Sequence, residues 1–168
     1  MQRRAFLILA AAAPLSGCAE AGIKTFANLD AADRGLVELL KHPHGTTGAW
    51  TLGRILEHAT QSVEYSMTGY PQKKSALFRA TVGAAAFAVF DARGSMSHAL
   101  DEPIPGAPAL KDAKLGPAVA RLRDALGRFA ARKRGLQAHF AYGELTHAQY
   151  TRAHLMHLAN HWSTVVRA

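Results

Sequence analysis

At about 100° per residue, Tyr150, His154, His157, His161 and Val165 fall within one narrow sector of a helix, alongside Leu158. The apolar and aromatic members mark that sector as the buried face. An imidazole taken out of water costs roughly 1 to 3 kcal/mol for each polar group left without a partner. Three histidines on one core-facing stripe therefore restrict what this chain can fold into. Either other elements bring partners to them or a metal ion does, and in helical bundles such sites are built from side chains on facing helices.

The rest of the chain reads as the helices that such an arrangement needs. Leu36, Val37, Leu39 and Leu40, after the acidic opening of Asp30 and Asp33, predict a first helix over about 30–41, stopped by His42-Pro43-His44-Gly45. Leu52, Ile55, Leu56, Ala59 and Val63 mark the buried stripe of a second helix over about 51–67, with His58 at its middle. After the polar loop 69–74, the segment from Ser75 to Phe90 predicts a third helix whose Ala and Phe content makes it well buried. Pro103, Pro105, Gly106 and Pro108 make 95–110 a long ordered loop or crossover, a length that tends to go with function. A fourth helix over about 112–133 carries Leu115, Val119, Leu122, Leu126 and Phe129 on one side and arginines on the other. Thr146 and Gln149 form a capping box that opens a fifth helix running to about Val166. No alternating strand pattern competes. The expected fold is all-α, an antiparallel four-helix bundle with an additional N-terminal helix over 29–168, after a linker at 19–28.

Residues 1–18 read as an export signal instead of fold. Gln2-Arg3-Arg4 precedes an apolar run from Ala5 to Leu15, shorter than the ~20 residues a spanning helix needs. Arg3-Arg4-Ala5-Phe6-Leu7 resembles the twin-arginine signal, with Gln2 in place of the usual Ser or Thr; the general export route is the alternative. Leu15-Ser16-Gly17-Cys18 resembles the bacterial lipobox, which implies lipidation at Cys18 and anchoring to a membrane. A buried or free thiol is the other reading of this sole cysteine. The expected location is the periplasmic side of a bacterial membrane as a lipoprotein, or the periplasm as a soluble protein. The formal charge is +8, and loss of Arg3 and Arg4 with the signal lowers it by two. Arg121, Arg123, Arg128, Arg132, Lys133 and Arg134 supply much of the remainder from the fourth helix. They read as a solvated face or a contact for anionic lipid head groups, and nucleic acid is not an expected partner for an exported chain.

His157 and His161 lie one helical turn apart, so both rings can converge on one ion at about 2.0–2.1 Å, and His58 offers a third imidazole from another amphipathic helix. A histidine midway along one helix with H-x-x-x-H near the end of the last resembles the DinB-like superfamily. Thr47-Gly48-Ala49-Trp50-Thr51-Leu52, His139-Phe140-Ala141-Tyr142-Gly143 and the stretch from His154 to Trp162 are similar to recurring segments of one uncharacterised branch of it. The resemblance spans essentially the whole exported chain. It implies a four-helix bundle with a divalent metal on His58, His157 and His161, nickel or zinc first and iron as a further option, with water completing the shell. Asn160 stands where that branch often has a further histidine. His154, His139 and Tyr142 are candidate outer partners of the ligands, His139 from a loop that can close over the site. Glu64, six residues after His58, points elsewhere on its helix. Ser95, Ser97 and His98 lack a glycine-flanked nucleophile motif, and Asp101 and Glu102 read as the solvated start of the proline-rich loop.

Three neutral imidazoles with an open fourth position can ionise a bound water or thiol. Because the DinB-like superfamily includes thiol-dependent transferases and isomerases, the resemblance implies a thiol-dependent transferase, or a metal-dependent hydrolase, with a thiol or other small molecule as substrate. Low-molecular-weight thiols are chiefly cytoplasmic, which weighs against that reading of an exported chain. The alternative is a non-catalytic metal-binding or structural lipoprotein of the cell envelope. A phosphate loop, a dinucleotide fingerprint and a cysteine pair for a zinc ribbon are all missing from the sequence. The oligomeric state stays open, a homodimer among the options.

Overall fold

Asn28 caps the first helix. Its Oδ1 accepts from the Ala31 amide at 2.8 Å and caps α1 (Leu29–Glu38), which buries Ala32 and Leu36. The computed structural model describes residues 25–168, so the expected export signal, Cys18 and most of the expected linker lie outside the described residues. The α1 helix ends before the expected residue 41, because Leu40 and Lys41 bond three residues back, to Val37 and Glu38, in tight turns ahead of Pro43. Thr51 caps α2 (Leu52–Thr68) by accepting from the Arg54 amide at 3.2 Å, and the face predicted to be buried is buried.

The third helix departs from expectation. A first turn, α3 (Ala76–Phe78), runs through a π-helical segment (Arg79–Gly83) into α4 (Ala84–Arg93), which closes on left-handed Gly94 at φ 63°. Its Ala and Phe content predicted a well-buried helix, yet Leu77 is 75% exposed, Val82 59% and Val89 48%, while Phe87 alone is buried in α4. Only one edge packs, with Phe87 against Met96, Ala153 and Met156. Composition measures how apolar a helix is, but the breadth of its contact depends on the neighbours.

Leu115–Ala131 forms α5, and Val119, Leu122, Ala125, Leu126 and Phe129 point into the core. Its outer face pairs Arg121 with Glu57, Arg123 with Asp33, and Arg128 with both Glu64 and Asp124. Glu57 is buried beneath its arginine, while the pairs of Arg123 and Arg128 are solvated and contribute about 0–1 kcal/mol each. The capping box opens α6 (His147–Trp162) as predicted: Thr146 Oγ1 accepts from the Gln149 amide and Gln149 Oε1 from the Thr146 amide.

The far end of α6 differs from the prediction. Val165 and Val166 are not helical; β2 (Val165–Arg167) pairs antiparallel with β1 (His44–Thr46), His44 opposite Arg167 and Thr46 opposite Val165. The run Thr164-Val165-Val166 is β-branched and favours extended backbone. Three-residue strands are too short to show an alternation, which is why the sheet escaped the pattern reading. The fold is thus mostly helical with one small two-stranded sheet. Its main core joins α1, α2, α5 and α6, and a smaller one ties α4 and the following loop to α6.

Candidate metal centre

Helical periodicity sets the centre. The buried face of α2 presents His58, and two successive turns of α6 present His157 and His161. Each offers a ring nitrogen, and the three nitrogens lie within 4.8 Å of one another. The His58 and His157 Nε2 atoms are 3.1 Å apart. Ring centres stand 4.9–5.0 Å apart with interplanar angles of 65–74°, so edges meet instead of faces. Trp50 covers the group: its indole lies parallel to His161 at 5.9 Å and edge-on to His58 at 5.0 Å. Thr46 Oγ1 donates to the Trp50 carbonyl at 2.6 Å, linking that cover to β1.

Electrostatics keep these rings neutral. Burial pushes His58 down to about 4 and His161 to about 3, and holds His157 well below the ordinary range, with the neighbouring imidazoles adding to the effect. The carboxylates nearest in sequence are engaged elsewhere, Glu57 by Arg121 and Glu64 by Arg128. Both ring nitrogens of His161 and Nδ1 of His58 are buried without a hydrogen-bond partner. Neutral, desolvated, unpartnered nitrogens converging on one point fit a divalent ion, which requires deprotonated donors. Imidazole sets suit zinc, nickel, copper or iron.

The expected outer partners make hydrogen bonds elsewhere in the structure. His154 Nε2 stands 3.2 Å from Ser66 Oγ; that hydroxyl gives its proton to the Val63 carbonyl, so His154 donates to Ser66. His139 Nδ1 accepts from the amides of Ala141 and Tyr142, both at 3.2 Å, and its ring stacks on Tyr142 at 4.3 Å. Among the described residues neither His154, His139 nor Tyr142 hydrogen-bonds one of the three clustered imidazoles; the Tyr142 hydroxyl reaches Met96 Sδ at 3.9 Å. All three instead line, with His58 and His157, a cavity of about 200 Å³. Met96, Ile104 and Phe140 give it apolar walls, and Lys74 and Glu102 are its exposed charged groups. The proline-rich loop therefore forms one side of this cavity.

Two residues at the site were not singled out by the sequence reading. Trp50 appeared only within a recurring segment, and its position over His161 depends on the β1–β2 pairing. His98 was set aside as a loop residue without a motif, yet its ring centre lies 4.9 Å from that of His157 and 5.1 Å from that of His161. The one available signal was a lone histidine in an unusually long, proline-rich loop. Asn160 donates from Nδ2 to the His98 carbonyl at 3.4 Å, which assigns a positional use to the residue found where a further histidine was expected.

A family model described as "Protein of unknown function (DUF1569)" matches residues 23–168. No curated protein and no solved structure matches the chain significantly. By that match over nearly all of its length, the chain belongs to the DUF1569 family.

Proposed function

We propose that this chain is an exported, membrane-anchored metal-binding protein of DinB-like architecture. In this reading α2, the α3–α4 helix, α5 and α6 make the four-helix bundle, and α1 is the addition. His58, His157 and His161 hold one divalent ion, nickel or zinc, and Cys18 carries the lipid. The observation that carries the metal reading is the convergence of three imidazoles, His58 coming from 99 residues before His157, with buried nitrogens that no protein group satisfies. Without an ion, such nitrogens would cost roughly 1–3 kcal/mol each.

The adjoining cavity supports a small-molecule reaction over a purely structural ion. A divalent ion on three imidazoles lowers the pKa of a water or thiol that it binds. The chain's own residues supply the rest: Trp50 excludes water from one side of the donors, and Met96, Ile104 and Phe140 offer an apolar wall to the organic part of a substrate. A thiol-dependent transfer or a hydrolysis fits these parts. The second reading, a metal-binding lipoprotein without turnover, is favoured by the engagement of Glu57 and Glu64 with arginines, which leaves neither as a base at the donors. A thiol-transfer assay with an electrophilic acceptor separates the two.

Elemental analysis of protein purified without added metal or a histidine tag tests the shared claim. One equivalent of metal is expected in the parent and none in the His157→Ala, His161→Ala double variant. Chelator should lower the melting temperature of the parent by several degrees and leave that of the variant unchanged. A parent that takes up no nickel, zinc or iron overturns the proposal.

A further inference from the structure

We propose that His98 is a fourth imidazole ligand of the same ion, contributed through Nε2 by the loop between α4 and α5; this rests on the three-histidine reading above. The tautomer is set locally. His98 Nδ1 lies 2.6 Å from the Ala99 carbonyl, an acceptor only, so Nδ1 carries the proton and Nε2 the lone pair. That is the usual support of a metal-bound histidine, whose second ring nitrogen donates to a backbone carbonyl or carboxylate. The free end, Nε2, is buried and has no hydrogen-bond partner among the described residues.

Ring spacing places this imidazole beside two of the three others. His98 stands 4.9 and 5.1 Å from His157 and His161, the spacing that the three clustered rings keep among themselves. Imidazoles bound tetrahedrally through nitrogens at about 2.0–2.1 Å from one ion have ring centres about 5 Å apart. The loop is also anchored for the purpose. Met96 and Ile104 are buried on either side of His98, and Asn160, between the two ligands of α6, holds the His98 carbonyl.

Among the described residues the nitrogens within 4.8 Å of one another are those of His58, His157 and His161, so His98 joins by an inward swing. Because His98 also lines the cavity, the same swing reversed opens the fourth position toward whatever occupies that cavity. The proline-rich loop thereby couples metal ligation to access.

Cobalt-loaded protein tests this by proton NMR in water, where each coordinated imidazole contributes one strongly shifted exchangeable N–H signal. Four such signals are expected in the parent and three in His98→Ala, with nickel held at least tenfold more weakly by the variant in competition with a chelator. Equal melting temperatures without metal would show that the loop change leaves the fold intact; should His98→Ala fail to fold, His98→Asn takes its place. Three signals in the parent, with nickel affinity unchanged in the variant, overturn the role of His98 and leave the three-histidine centre standing. A parent that binds no cobalt and no nickel overturns both.

Discussion

Four buried histidines carry a stability term that depends on pH. Burial lowers His58 to about 4 and His139, His154 and His161 to about 3, while the unfolded chain titrates them near 6.5. Above 6.5 neither state is protonated and the stability is fully present. As pH falls below 6.5 the unfolded state takes up protons that the folded state refuses, so stability falls by about 1.4 kcal/mol per pH unit for each such histidine, down to the folded pKa. Metal-free protein should therefore show a steep drop in its urea midpoint between pH 7 and pH 5. A flat midpoint over that range would mean that these rings are hydrated. At this scale the His157 and His161 pair was legible because the α-helical repeat fixes side chains four apart on one face. His98 was not, because its closeness to them depends on a loop whose path the sequence does not encode as a pattern.

Elements meet most tightly at Gly83 and at Gly53, where an added Cβ would lie 2.0 Å from the Ala113 carbonyl oxygen. A Cβ on Gly83, in the π-helical segment, would lie 1.8 Å from the Ala141 carbonyl oxygen, and the loop so approached carries His139 and Tyr142. Backbone cannot yield as a flexible side chain can, so Gly83→Ala should destabilise by about 1–3 kcal/mol or more, the range seen for overpacking. Gly127 in α5 has nothing within 4 Å of a Cβ, and Gly127→Ala should stabilise by about 0.5–1 kcal/mol through helix propensity alone. Urea denaturation of the two variants checks the contrast, and similar effects from both would remove the claimed close approach. Caps at Thr51 and Thr146 follow from side chains acting within three residues, and the capping box at Thr146 was readable in advance. The exposed side of the third helix and the early end of α6 were not, since each is decided by a distant partner: the α6 face for one and β1 for the other.

Across the whole molecule, membrane attachment is a proposal that rests on Cys18. Arg121, Arg123 and Arg128 on α5 are paired with carboxylates, while Arg132, Lys133 and Arg134 enter no salt bridge among the described residues. Expressed with its own N-terminus in a bacterium, the chain should fractionate with membranes, and Cys18→Ser should move it to the soluble fraction with its metal content unchanged. Membrane association that survives the substitution would sink the lipid assignment. Helix periods, the capping box and the H-x-x-x-H spacing were determined by the sequence itself, because backbone geometry acts over a few residues and writes itself as a repeat. The arrival of His58 beside His157, the cover of Trp50, the approach of His98 and the β1–β2 pairing were decided only by tertiary structure. They join residues roughly 50 to 120 positions apart, and contacts over such distances follow from which faces pack together, which local periodicity does not specify.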